Sequence, residues 1–377
     1  MQGGSMEGFL FLDGLTALQR RLIDICRAEA ANDRVFINAK DILRVLALQD
    51  WKMDESDFEY DSDNLSANVE PIESYPPRSI GYAYRMIQQM GLPWRCRYPQ
   101  FELRGMYGDS HDEVPQGPEY MEVRLSRFSH IVMPVGKPPL LPLSLLNGAI
   151  LPDGTQIPAH HLEELWTAFE QVRQEPTLPL ETLMEFIPGP DFASAGVVGG
   201  PEAIRSLYAN GRGDLVLRAD VQTEMEGART RLSIHSLPPG VLVKTVIEQL
   251  RALVEEGTLQ LYSLKNGSER DRIRIILDAP GRSSPEALKE ILFNKTDLEK
   301  RILFHCSASD AAGWKGGTSL VETLRQAAAR CTLSWQRNDD EPIEHVPLLK
   351  EIQEFGGYKS PLSDLIDSRR SRLLRLS

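Results

Sequence analysis

The stretch Leu183–Ala219, LMEFIPGPDFASAGVVGGPEAIRSLYANGRGDLVLRA, decides how this chain is read. Backbone constraints crowd it. Pro188-Gly189-Pro190 fixes two φ angles around a permissive glycine and sets a rigid turn after the helix-like run Leu180–Phe186. The apolar run Ala195–Val198 ends in Gly199-Gly200. A helical segment then starts at Pro201, a residue suited to a first turn, and stops at Asn210-Gly211. Gly211-Arg212-Gly213 turns the chain into an alternating strand, Leu215–Ala219. By itself this order of turn, strand, helix, turn and strand describes a scaffold and no chemistry.

Composition bounds what the scaffold belongs to. At 377 residues the chain can bury a core large enough for two domains. It is 41% apolar and 25% charged, as soluble proteins are, and no run approaches the ~18 apolar residues of a membrane span. Met1-Gln2-Gly3-Gly4-Ser5 has neither the basic start nor the apolar core of a signal peptide. Cys26, Cys96, Cys306 and Cys331 are widely spaced, which reads as reduced thiols in a cytoplasmic protein without a zinc site. A net charge of −12 argues against a free-standing DNA binder but leaves room for a basic groove on an acidic body.

Along the chain, helices are expected over Asp13–Arg27, Asn38–Ala47 (with Asn38 as cap) and Ser79–Met90, followed by strands around Trp94–Tyr107 and Tyr120–Leu125. Between the first helices and Ser79, residues 50–75 hold nine acidic residues and one lysine, which predicts an inserted, partly disordered loop. Helix, helix, loop, helix and strands suggest a winged-helix arrangement, whose third helix is offered to a DNA groove. The Pro-rich run Pro134–Pro142 separates a first domain, 1–136, from a second, 137–340. The second combines helices Leu162–Val172, Pro201–Ala209 and Lys244–Glu255 with strands Ala195–Val198, Leu215–Ala219, Arg231–His235, Thr258–Lys265 and Arg272–Leu277. That pattern is α+β. A tail, 341–377, carries a basic amphipathic helix over Pro361–Leu376.

Leu183–Ala219 resembles the signature of the gyrase A family, the A-type chains of bacterial DNA gyrase and topoisomerase IV, which are type IIA topoisomerases. Gly105–Met133, GMYGDSHDEVPQGPEYMEVRLSRFSHIVM, resembles the same family without a gap. The resemblance extends from about Asp13 to the C-terminus, with weaker matches at Leu143–Leu165 and Ile234–Leu250. It implies a winged-helix domain followed by a tower-like mixed α/β domain, with the tail as the first helix of an exit-gate coiled coil.

The resemblance also implies site residues. Tyr120 falls at the family's nucleophilic tyrosine, whose phenolate attacks a phosphodiester and stores the strand-break energy in a phosphotyrosyl bond. Without the family, a lone tyrosine before a strand is a packed residue. Arg20 and Arg21 match arginines reaching the cleavage site, or form a solvated helix face; Arg124 matches a phosphate-side arginine, or pairs with a nearby acid. Ser79 and Tyr82 match DNA-facing positions of the recognition helix, Arg78 supplies a replacement charge beside them or forms a salt bridge to the acidic insert, and Ile150 is the nearest candidate for a base-step wedge, or an ordinary loop residue. His160-His161 are adjacent and have no partner cluster, so they are not metal ligands.

Two departures matter. Glu119 stands where active members carry arginine, and Tyr75-Pro76-Pro77-Arg78-Ser79 replaces their histidine-bearing segment. A carboxylate beside the tyrosine repels phosphate and disfavours the phenolate. The expected function is therefore the DNA-binding, strand-cleaving component of an ATP-dependent type IIA topoisomerase. The alternative is a catalytically degenerate paralogue that binds DNA or a partner. No metal or cofactor is expected on this chain; Mg²⁺ and ATP would sit on a B-type subunit. Expected partners are double-stranded DNA, that B-type chain and a possible second copy, with no membrane.

Overall fold

The computed structural model describes residues 17–70, 72–133, 143–150, 156–194, 197–198, 200–227, 229–269, 272–281, 284–306 and 319–336. Helix α1 (Ala17–Glu29) buries Leu22, Ile23, Ile25 and Cys26. Strand β1 (Ile37–Asn38) leads into α2 (Ala39–Val45), where the Asn38 side chain accepts the Lys40 N–H at 2.9 Å as the expected cap. Leu46–Asp50 continues α2 as a π-helical turn.

The acidic stretch departs from expectation. Half of it is a regular helix, α3 (Glu55–Ala67), and not an unstructured loop. Asp54 caps it by accepting the Asp57 N–H at 3.0 Å, and Glu55 and Asp57 lie in the first turn, where the helix dipole favours anions. Phe58, Ser62 and Leu65, four and seven residues apart, form its buried face. Helix α2 supplies the countercharge: Lys40 Nζ lies 2.8 Å from Glu59, and Arg44 pairs with Glu55.

Helix α4 (Ile80–Gly91) is buried along most of its length and packs on α2 and α3. Strands β2 (Phe101–Gly105) and β3 (Met121–Leu125) complete an antiparallel sheet in the order β1-β3-β2, with Ile37 opposite Val123 and Val123 opposite Leu103. Helix α5 (Arg127–Val132) follows. The domain boundary expected at 136/137 lies outside the described residues.

Next come α6 (Leu143–Asn147), β4 (Ala149–Ile150), β5 (Gln156–Ile157), α7 (Leu162–Gln174), α8 (Leu180–Phe186), β6 (Val197–Val198), α9 (Pro201–Asn210) and β7 (Arg212–Arg218). The punctuation of 183–219 reads through into structure. Helix α8 ends at Phe186, α9 begins on Pro201, and Gly211 takes the left-handed φ of +72° that ends α9. Beyond lie β8 (Val221–Glu226), β9 (Arg229–Ile234), α10 (Val243–Glu255), β10 (Ser263–Asn266), β11 (Ile275–Pro280), α11 (Pro285–Lys295), β12 (Glu299–His305) and α12 (Leu320–Gln336).

Strands β7 and β12 pair antiparallel in continuous register, from Arg218 opposite Glu299 to Arg212 opposite His305. They sit in a five-stranded sheet ordered β4-β5-β12-β7-β6. The segment 219–298 is thus inserted into one hairpin. It carries its own antiparallel sheet, β10-β11-β9-β8, with α10 and α11, and its own buried cluster around Leu232, Ile247, Leu250 and Leu277. The other cluster joins residues 22–217 to 302–328. The fold is mixed α+β. The strand expected over Thr258–Lys265 is confined to Ser263–Asn266, while β8, α11, β12 and α12 add to the sequence reading. The tail helix expected over Pro361–Leu376 lies outside the described residues. No described helix is long and apolar enough to cross a membrane.

Candidate functional site around Tyr120

Tyr120 closes a 3-10 turn (Pro118–Tyr120) at the start of β3. Its backbone is tightly held. The Tyr120 carbonyl accepts the Met106 N–H at 3.0 Å, and Gly105, at φ +85°, approaches so closely that a Cβ there would lie 2.1 Å from that carbonyl oxygen. The side chain is 54% exposed, and among the described residues nothing hydrogen-bonds its hydroxyl. A tyrosine whose ring is packed into a core would not leave its hydroxyl so open, although Tyr60 and Tyr262 are more exposed still.

The loop before it, 106–117, is bolted to α4 through Glu113. The buried Glu113 carboxylate accepts the Trp94 indole N–H at 2.7 Å and the Arg95 Nε–H at 2.6 Å. Its carbonyl accepts from Arg85 at 2.6 Å and Gln88 at 3.1 Å, two further buried side chains. Glu113 takes a left-handed φ of +57°, a conformation costing ~1–2 kcal/mol that this network offsets. Burial lowers the Arg85 pKa, and the Glu113 charge opposes that shift. The Tyr84 hydroxyl donates to the Gln116 carbonyl.

The same loop touches the inserted segment. The Ser110 and His111 carbonyls accept the Val243 and Lys244 N–H groups at 3.4 and 3.0 Å. Helix α10 has no side-chain cap, so these carbonyls satisfy N–H groups at its start.

Charge near Tyr120 is mixed. The Glu119 carboxylate accepts the Ser66 hydroxyl at 2.6 Å, and its carbonyl accepts the Asn38 side-chain N–H at 2.9 Å. Lys40 is held above its ordinary pKa, first by its hydrogen bond to Glu59, with Asp63 and Glu119 adding to it. Sequence reasoning did not single out Lys40, Arg44, Ser66 or Glu113. Their relation to Tyr120 is purely tertiary, and the one local signal was the Asn38 cap two residues before Lys40.

The sequence-predicted residues are dispersed in role. Arg21 bonds Asp50 at 2.8 Å. Arg124 bonds Glu102 at 2.9 Å through Nε and lies over the Phe36 ring at 4.5 Å, with Arg104 at 4.0 Å from the same ring. Arg20 is half-buried, and desolvation lowers its pKa against the opposing charge of Asp24. Arg78 is exposed at φ +64°, immediately before the α4 cap. The Ser79 hydroxyl forms that cap, accepting the Tyr82 N–H at 3.2 Å and donating to the Pro76 carbonyl at 2.7 Å. Tyr82 is half-buried against the main core. Ile150 ends β4 opposite Gln156, and the loop 151–155 lies outside the described residues.

His160 is a core residue. Its ring bonds the Leu145 carbonyl and the Tyr208 hydroxyl, each at 2.9 Å, and burial pulls its pKa down to about 4. Among the described residues no three His, Cys, Asp or Glu side chains are grouped to hold a metal ion.

Known proteins share much of this chain. Residues 132–337 match the A-chain family of DNA gyrase and topoisomerase IV, a match that starts at the end of α5. The chain is 30% identical over 251 residues to the DNA gyrase A protein of Chlamydia muridarum, covering 60% of this chain and 30% of that one. It is 25% identical over 265 residues to that of Kosmotoga olearia (64% and 33%) and 26% over 254 residues to that of Escherichia coli (60% and 29%). The chain spans about a third of the length of these relatives.

Proposed function

The chain belongs to the A-chain family of DNA gyrase and topoisomerase IV, and from that premise we propose that it is the DNA-binding, strand-cleaving component of a type IIA topoisomerase. The observation that carries this reading is the open, rigidly seated Tyr120. In the proposed step its phenolic oxygen attacks a DNA phosphorus, an O–P bond forms, and the bond to the deoxyribose oxygen breaks. That oxygen leaves and takes up a proton. The reverse attack reseals the strand, so cleavage itself needs no ATP. We place ATP and Mg²⁺ on a separate B-type chain.

We read α1, α2 and α4 with the sheet β1-β3-β2 as a winged-helix unit, 1–136, and 137–340 as a tower-like unit ahead of the tail 341–377. Three helices around a three-stranded antiparallel sheet support the first assignment. Arg20, Arg21 and Arg124 would act on the phosphate side, and Arg78, Ser79, Tyr82 and Ile150 on the DNA surface. Binding of duplex would require Arg21 and Arg124 to exchange their carboxylate partners for phosphate.

One observation favours a second reading, a paralogue that binds without cleaving: the Glu119 carboxylate, fixed by Ser66 one residue from the nucleophile. The two are separated by trapping covalent protein–DNA adducts with detergent, in the presence of Mg²⁺ and a compatible B-type partner. Adducts from the native chain and none from Tyr120→Phe support cleavage. DNA binding without adducts in either chain supports the paralogue.

A further inference from the structure

Helix α3 lies against α4 and the Pro118–Tyr120 turn, and three polar ties hold it there. Lys40 Nζ on α2 reaches Glu59 at 2.8 Å and Asp63 at 3.9 Å. Arg44, one turn further along α2, pairs with Glu55. At the other end of α3, Ser66 donates to Glu119 at 2.6 Å. The row of carboxylates therefore meets two cations on one side and ends beside the exposed tyrosine. Helix α2, which carries both cations, also packs against the Pro118–Tyr120 turn, so phosphates of a duplex bound there would compete for them.

The ties are of a kind that can be exchanged. Arg44 and Glu55 are each about half exposed (49% and 47%), and Glu59 is 43% exposed. Such pairs are individually weak and screened by salt, so a polyanion competes with them readily. The apolar anchor is narrow, with Phe58 and Leu65 as the buried hydrophobic side chains of α3.

We propose that α3 is an internal strap: its carboxylates occupy Lys40 and Arg44, and Ser66 holds Glu119 beside the open Tyr120, so that duplex DNA bound at the tyrosine must displace α3 from these two cations. This regulation rests on the DNA-binding reading given above. It makes Lys40 and Arg44 phosphate ligands in the open state. It also gives Gly117 a role. A Cβ at Gly117 would lie 2.6 Å from both Ser66 Oγ and Glu119 Oε2 and 2.7 Å from Ser66 Cα, while its φ of −57° suits any residue. Gly117→Ala is therefore a wedge at the Ser66–Glu119 contact, parting the end of α3 from the turn without changing charge.

The test uses the full chain, a short fluorescently labelled duplex, and two variants: Gly117→Ala and the double substitution Glu59→Gln with Asp63→Asn. Amide hydrogen exchange over 55–67 reports opening of α3, and fluorescence anisotropy across a salt series reports binding. Both variants should exchange faster in α3 and bind duplex about tenfold tighter at low salt, with a steeper salt dependence for the charge variant. Faster exchange with unchanged, measurable affinity would overturn the strap while leaving DNA binding intact. Unchanged exchange in both variants would show that these contacts do not hold α3, and would overturn it equally. Faster exchange with no duplex binding in any chain would instead overturn the DNA-binding reading, and the strap with it.

Discussion

Acidification should destabilise this fold through His160 in a way that one substitution can isolate. The ring is fully buried; Nδ1 faces the Leu145 carbonyl and so carries the proton, leaving Nε2 to accept from the Tyr208 hydroxyl. Burial holds its pKa at about 4, against an ordinary value of 6.5. That gap corresponds to on the order of 3 kcal/mol between the two protonation states. Between these values the unfolded chain binds the proton and the folded chain does not. The stabilisation is complete above pH 6.5 and is lost as the pH falls toward 4. Urea unfolding followed by tryptophan fluorescence, in steps from neutral pH downward, measures it. Carboxylates contribute their own acid loss, so the informative quantity is the difference from His160→Gln, whose side-chain carbonyl can still accept from Tyr208. The variant should be less stable at neutral pH by ~1–3 kcal/mol for the lost Leu145 contact. The gap should then close as the pH falls. Parallel curves for the two chains would refute the assignment.

Tyr120→Phe removes only the phenolic oxygen, so it should abolish covalent adducts while duplex affinity, read by anisotropy, stays within about twofold. Glu119→Arg removes a repulsion and adds a phosphate ligand at an exposed position, each worth ~0.2–1 kcal/mol, and should raise adduct yield with Mg²⁺ and a B-type partner. Glu113→Ala removes the carboxylate that accepts from Trp94 and Arg95 and should cost ~1–3 kcal/mol in urea unfolding.

Local grammar was legible where backbone chemistry is local. Asn38 and Ser79 cap the helices they precede, and Pro201 and Gly211 bracket α9 as proline and glycine should. What escaped was written across the chain. In α3 only Phe58 and Leu65 mark the buried face, because Ser62 fills the position between them and acids fill half of the rest; a period carried by two apolar residues is not detectable. The cations that make that helix tolerable come from α2. Strand β12 exposes Lys300 and Arg301 and is recognised only through its pairing with β7. The surroundings of Tyr120 gather Asn38, Ser66 and Glu119 from far apart in sequence, and no window on a sequence holds them together.

The hairpin of β7 and β12 has a consequence in time. During synthesis β7 emerges first, and its partner follows only after residues 219–298, a wait of roughly 4–16 s at ordinary elongation rates. Closing a flexible loop of that length costs ~2–3 kcal/mol more than closing a tight turn. If the inserted segment folds during the wait, its sheet and helices bring Arg218 and Glu299 side by side, and most of that extra cost disappears before the two strands meet. The order of events then runs from the inside outward, and a lesion in the insert, such as a cavity at Leu250 or Leu277, would delay the five-stranded sheet that contains neither residue.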